Sequence, residues 1–178
     1  MAAQQLAHIT LTEYELRFLN TVPARQVYQL RHNRAVAALT GRKIDHDLAD
    51  TARFIYQAFA AAQHGDYFTW GIMDRKTDTF YGLVQLWHFR HQAADVGYEI
   101  LPQWQHQGIM RTILPQVANL AFTQLAVKCL YAVTGAINYP SRQLLETSGF
   151  QLDQNYHETF ATKQQPALLM VRYWLTSA

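Results

Sequence analysis

The chain carries a single cysteine, Cys129. One thiol excludes an internal disulfide framework and any cysteine-based zinc cage. Charge is scarce as well: Asp, Glu, Lys and Arg make up 16% of 178 residues, against roughly 25% in an average soluble protein. Part of the shortfall is filled by glutamine, which occurs 18 times. Lys plus Arg number 15 and Asp plus Glu 13, a net charge of +2, and there is no basic run. A dedicated DNA or RNA binder is therefore not expected. Long apolar runs are missing too. The longest charge-free stretch, Thr112 to Val127, contains Pro115, Gln116, Asn119 and Gln124 and is no membrane span. The opening residues, MAAQQLAHITLTEYEL, have neither a basic start nor a long apolar segment, so no signal peptide is expected. The expectation is a soluble protein in a reducing cytoplasm. No repeat and no Pro/Gly/Ser-rich linker divides the chain, which predicts one domain spanning 1–178. What is present is core material: 49% hydrophobic and 13% aromatic residues, proportions that exclude disorder, collagen and coiled coil.

Hydrophobic periodicity orders the elements. Tyr14 to Asn20 alternates like a strand. Thr21-Val22-Pro23 opens a helical stretch, interrupted near His32-Asn33, that stops at Gly41. Asp47 is a predicted N-cap for a helix with Leu48, Ala52, Ile55, Phe59 and Ala62 on one stripe, ended by Gly65. Strands follow at Phe68 to Met73, Phe80 to Phe89 and Ala94 to Leu101, read as an antiparallel meander. Gly108 to Leu125 is helical, with Pro115 predicting a kink or a restart. A strand at Lys128 to Thr134, a short helix at Ser141 to Ser148 and a hairpin of Phe150 to Phe160 with Ala167 to Leu175 complete the order βααβββαβαββ, a mixed α/β domain.

Two stretches carry chemistry. In PQWQHQGIMR a strand runs into a loop and Gly108 stands where a helix begins. The first amides of a helix lack internal partners and, with the dipole, favour an anion. A glycine lets a phosphate approach the backbone, and Arg111 in the first turn can add a charge-assisted bond. The second stretch is Asn138-Tyr139-Pro140-Ser141, leading to Leu144-Leu145-Glu146 and Gly149-Phe150. By itself it reads as a capped short helix with a glycine stop.

At this spacing the two stretches resemble the GNAT superfamily of acyl-CoA-dependent N-acetyltransferases. Gln105-His106-Gln107-Gly108-Ile109-Met110 is similar to that family's Q/R-x-x-G-x-G/A pyrophosphate loop. Asn138, Ser141, Leu144, Leu145, Glu146, Gly149 and Phe150 match its N-x-x-S-x-x-L-L-E-x-x-G-F motif. The Ser form, with Val96-Gly97-Tyr98-Glu99-Ile100 before the loop, resembles the RimJ/RimL-type branch, which includes acetyltransferases of ribosomal-protein N-termini. The resemblance extends from Glu15 to Leu175 and is specific over Ala94 to Phe150. It implies a single domain with a mixed, mostly antiparallel central sheet flanked by helices. It also implies acetyl-CoA as cosubstrate, with Gln105, Gln107, Gly108, Ile109, Met110, Arg111, Thr112, Asn138 and Ser141 at the cofactor and the backbone N–H of Ile100 polarising the thioester carbonyl. Three positions depart from the pattern: Met110 replaces a small residue, Thr112 stands where relatives often carry Glu, and Leu145 replaces a thiolate-protonating Tyr. That leaves Ser141 as the nearest thiolate donor, or else as a capping or pantetheine-contacting hydroxyl.

Acyl transfer to an amine needs a neutral amine, donors for the developing oxyanion and a proton or donor for the thiolate. Glu99 is the candidate base, against a carboxylate that is a plain strand charge or only attracts cationic amines. Asn138 binds CoA or substrate, or caps locally. Metal is not expected, because His88 and His91, three apart in an extended strand, face opposite ways. Cys129, mid-strand, is expected to be buried and inert. The expected acceptor is a protein N-terminal amine, a ribosomal protein's included, or a small amine such as a polyamine or an amino-sugar drug, with no direct nucleic-acid or membrane partner. A homo-oligomer is left open. Acceptor choice is assigned to the two N-terminal helices and to Asn155 to Pro166. The competing reading is a catalytically weak acyl-CoA-binding regulatory module of the same fold, and a third is an RNA-associated protein.

Overall fold

The computed structural model describes residues 6, 8–156, 158–162 and 165–177. They fall into two compact units. The first takes the residues up to Ala38, Arg42–His88 and Gly97–Gln105; the second takes Leu39–Gly41, Phe89–Val96 and the residues from His106 on.

In the first unit, β1 (His8–Thr10), β2 (Tyr14–Phe18), β3 (Tyr67–Asp74) and β4 (Phe80–Arg90) pair in succession, antiparallel. β4 in turn neighbours β5 (Ala93–Ile100). β1 is an element the sequence reading lacked. It is three residues long and is held through its register on β2, His8 opposite Arg17 and Thr10 opposite Glu15. The N-terminal helical stretch divides at the predicted place into α1 (Ala24–Arg31) and α2 (Arg34–Thr40). The division has a local cause: the Asn33 side chain accepts from the Val36 amide at 3.0 Å and starts a new helix. α3 (Leu48–His64) begins at Asp47, whose carboxylate accepts from the Asp50 amide at 2.9 Å, and ends at left-handed Gly65. Its buried face differs from the expected stripe. Thr51, Ala58 and Ala62 are buried with Phe54 and Ile55 partly so, whereas Leu48 and Phe59 are exposed. The misreading has a physical source, because Thr51 reaches the interior by donating to Asp45 at 2.7 Å. Leu19, Val22, Val27, Leu30, Val36, Met73, Phe80, Leu83 and Leu101 form the core of this unit.

In the second unit, Ala93–Asp95 of β5 pair in parallel with Cys129–Tyr131 of β6 (Cys129–Gly135). A parallel pair needs a crossover, and α4 (Ile109–Gln124) is that connection. Its predicted stripe of Ile109, Ile113, Val117, Leu120 and Ala121 is buried. α4 runs through Pro115 as one helix; the residue is exposed, where water can serve the carbonyl left without a donor. β9 (Gln165–Thr176) pairs antiparallel with β6 and also with β7 (Gln151–Leu152) and β8 (Glu158–Thr162). The predicted long strand from Phe150 to Phe160 is thus two short ones. Asp153 breaks it: its carboxylate accepts from the Asn155 amide at 3.0 Å and from Arg172 Nη2 at 2.6 Å. α5 (Tyr139–Thr147) lies between β6 and β7 in sequence. Among the described residues no helix is long and apolar enough to cross a membrane.

Candidate active site

The start of α4 is built from two left-handed residues. His106 has φ 60° and Gly108 φ 78°, and Gly108 is the N-cap with no side-chain cap bond. Ile109 and Met110 are buried, while Gln107, Arg111 and Thr112 are exposed. Two apolar side chains therefore anchor the first turn. Its first internal bond runs from the Thr112 amide to the Gly108 carbonyl at 3.2 Å, so the amides of Ile109, Met110 and Arg111 precede it as the anion-binding ones. Met110, the departure from the small residue of the motif, is 7% exposed, so its side chain is turned inward rather than occupying the loop.

Ile100 and Gln105 meet in the first unit. Gln105 Nε2 donates to the Ile100 carbonyl at 3.0 Å, and the Leu101 amide donates to the Tyr81 carbonyl of β4 at 2.9 Å. Consecutive strand amides point to opposite edges. The Ile100 N–H is thereby directed away from β4, the orientation an oxyanion donor needs. Gly82 permits this packing, since a Cβ there would stand 2.0 Å from the Glu99 carbonyl oxygen and 2.9 Å from Ile100 Cα.

Glu99 is 8% exposed and ion-paired. Arg42 Nε donates to both carboxylate oxygens, at 2.8 and 2.9 Å. Burial pushes the Glu99 carboxyl above its ordinary value; Arg42 and, further off, Arg31 pull it down, and Asp45 adds to the rise. Arg42 is the residue that sequence reasoning missed. It follows Gly41, which was read as a helix stop, and an arginine after such a stop gives no sign of a partner 57 positions on.

In the second unit the Asn138 side chain accepts from the Ser141 amide at 3.4 Å and donates to Thr134 Oγ1 at 3.1 Å. Asn138 is therefore the cap of α5, and Ser141, within the first turn, is not. Leu145 is 1% exposed and is core. α5 is further tied down by Tyr173, which donates to Glu146 at 2.7 Å and accepts from Arg142 Nε at 3.1 Å. A difference between neighbours follows. Asn138→Ala should lose about 1 kcal/mol, or about 2–4 °C in Tm for a protein of this size. Ser141→Ala keeps the cap bond, which uses the backbone amide of residue 141, so it should cost less Tm than Asn138→Ala and lower kcat, read by thermal melts beside steady-state rates. An unchanged kcat would remove Ser141 from the chemistry.

Residues 15–151 match the Acetyltransferase (GNAT) domain. The chain belongs to the GNAT acetyltransferase family. An N-acetyltransferase of Bacillus subtilis strain 168, YoaA, is 32% identical over 98 residues, 53% of this chain and 55% of that protein. The chain thus matches about half the length of that curated relative. Spermidine N-acetyltransferase from Vibrio cholerae, solved with CoA and spermine, shares the fold with a TM-score of 0.81 at 19% identity, over 92% of this chain and 95% of that one. Ribosomal-protein-S5-alanine acetyltransferase from Vibrio fischeri does so with a TM-score of 0.77 at 16% identity, over 95% and 96%. The mixed, mostly antiparallel GNAT architecture read from the sequence is that of the structure. Among the described residues there is no group of three or more His, Cys, Asp or Glu able to hold a metal. Cys129, expected to be buried, is only partly so. Of Asn155 to Pro166, assigned to acceptor choice, residues 157, 163 and 164 lie outside the described ones.

Proposed function

We propose that this GNAT family member is an acetyl-CoA-dependent N-acetyltransferase, one catalytic domain that moves an acetyl group directly to a primary amine in a ternary complex. The observation that carries the reading is the start of α4: a left-handed glycine cap, no side-chain cap, and a first turn whose polar groups are exposed. CoA pyrophosphate takes the amides from about Gln107 to Arg111, the Thr112 amide being bonded to the Gly108 carbonyl, with Arg111 adding charge. The Ile100 N–H polarises the acetyl carbonyl. Asn138 fixes the start of α5, and Ser141 is the hydroxyl offered to the leaving thiolate. The acceptor class, a protein N-terminus or a polyamine-like small amine, takes its support from two solved neighbours named as a ribosomal-protein-S5-alanine acetyltransferase and a spermidine N-acetyltransferase. The reaction needs no metal, and a cytoplasmic enzyme fits its substrates.

The test is a thermal shift followed by turnover. A CoA excess of about 100 Kd contributes about 2.7 kcal/mol. At roughly 2–4 °C per kcal/mol for this size, Tm should rise by about 5–11 °C. NAD and ATP should give no comparable shift. No shift with millimolar CoA overturns the reading. Acetyl-CoA consumption is then measured against a panel of amines and N-terminal peptides. The buried Leu145, which has no hydroxyl where other branches carry one, favours a second reading: an acyl-CoA-binding module with weak catalysis. CoA binding without turnover of any amine would select it.

A further inference from the structure

Glu99 has the burial of a catalytic base but the contacts of an anchor. Every nitrogen of the Arg42 guanidinium is engaged. Nε holds both Glu99 oxygens, Nη1 donates to the carbonyls of Arg31 at 2.7 Å and Lys43 at 3.0 Å, and Nη2 donates to the carbonyl of Leu30 at 2.8 Å. Leu30 and Arg31 are the last residues of α1, and their carbonyls also accept from the Asn33 amide at 3.1 Å and the Asp45 amide at 3.3 Å. Arg42 therefore joins that helix end, its own connector and β5 in one fork. The connector is fixed a second time. Asp45, 5% exposed, accepts from Arg31 Nη2 at 2.9 Å and Nε at 3.2 Å and from Thr51, while its carbonyl meets His32 Nδ1 at 2.8 Å. Arg31 in turn lies over the Phe54 ring at 4.0 Å. On the other side of Glu99, its carbonyl oxygen and Ile100 Cα crowd Gly82, and the Leu101 amide is bonded to β4.

We infer that Glu99 and Arg42 are positioning residues: as one buried ion pair they hold β5 at Ile100, so that its N–H is preset for the acetyl oxygen, and Glu99 is not the proton acceptor. A base must come within hydrogen-bond reach of the amine, directly or through one water. Glu99 is almost closed off, with both oxygens turned to Arg42. Taking a proton would remove the carboxylate that balances a guanidinium itself 13% exposed. The amine's proton leaves to water instead.

This inference rests on the acetyltransferase reading, and its test separates the two. Glu99→Gln, Arg42→Ala, Arg42→Lys and the double variant R42A/E99A are assayed for kcat, amine KM, acetyl-CoA affinity and the pH profile of kcat/KM. Glu99→Gln removes the charge that balances Arg42, so Tm should fall; it keeps an oxygen for Arg42 Nε, so in the folded variant kcat should stay within about fivefold and the acidic limb of the profile should persist. Arg42→Ala should lower kcat at least tenfold, with amine KM and acetyl-CoA affinity within about twofold. The double variant should be no worse than Arg42→Ala, because the pair acts as a unit. Arg42→Lys, which keeps charge but not the fork, should behave like Arg42→Ala and replaces it if that variant fails to fold. A kcat lowered by roughly 10²–10⁴-fold in Glu99→Gln, with loss of the acidic limb, would make Glu99 the base and overturn the inference. A kcat within twofold in both folded Arg42 variants would overturn it too. Hydrogen exchange at the Leu101 amide needs no substrate and should quicken in Arg42→Ala; unchanged exchange counts against the anchor. A wild-type protein that turns over no amine strikes the acetyltransferase reading alone.

Discussion

Ile100→Pro should lower kcat by roughly 10²–10³-fold, the range for removing one oxyanion donor, with acetyl-CoA affinity nearly unchanged. Proline deletes the N–H and exchanges the isoleucine side chain, which packs near Gly82, for a ring. The amide that holds β5 to β4 here belongs to Leu101, which donates to Tyr81, so the substitution removes no bond of that kind. The Ile100 carbonyl, which accepts from Gln105, also survives. Proline restricts the preceding residue to extended backbone, which Glu99 on a strand already has. The control is Ile100→Ala, which keeps the N–H and discards the side chain. If the amide is the active part, Ile100→Ala turns over within a few-fold of wild type and Ile100→Pro does not. Equal losses in both would mean that the side chain matters through packing. A kcat within threefold of wild type for a folded Ile100→Pro would move the oxyanion donor elsewhere.

How much of this was legible in the sequence depends on whether a signal is local. Asn33, Asp47, Gly65 and Gly108 act on their own segments, and each punctuates a helix where the reading put a boundary. The apolar stripe of α4 was legible because five of its residues share one buried face. The face of α3 was not, because Thr51 is drawn inward by Asp45, a hydrogen bond that no hydrophobic period records. The strand predicted from Phe150 to Phe160 failed for a similar reason. Its interruption is made by Asp153 with Arg172, a partner 19 residues away. The site divides in the same manner. The loop from Gln105 to Thr112 and the motif from Asn138 to Phe150 are contiguous, so spacing reveals them. Asn138 turned out to be the cap of α5, one of the two roles its motif allowed. Gly82 and Arg42 touch the candidate residues Glu99 and Ile100 from distant parts of the chain. A glycine in a strand and an arginine after a helix stop carry no sign of that.

The last expectation concerns the α4 loop, where conformation and ligand approach can be separated by choice of side chain. Gly108 has φ 78°, a region that L residues enter at a cost of about 1–2 kcal/mol and β-branched ones rarely. Gly108→Val therefore combines strain with an added side chain, and weaker CoA binding in that variant alone has two explanations. Gly108→Asn resolves them, because asparagine tolerates the left-handed region and can keep the turn. A Cβ at 108 meets no protein atom within 4 Å, so the first atom of either side chain stands in open space. Should the pyrophosphate seat itself on this backbone, any side chain intrudes between phosphate and amides. Charge-assisted hydrogen bonds are worth about 1.5–3 kcal/mol each, so displacing one weakens binding roughly 10- to 150-fold. Gly108→Asn is accordingly expected to melt near the wild-type Tm yet lose at least tenfold in CoA affinity, measured by calorimetry, with Gly108→Val losing more. Normal CoA affinity in a folded Gly108→Asn would show that the glycine serves the turn alone and that the pyrophosphate binds elsewhere. Loss in Val with none in Asn would trace the defect to backbone strain.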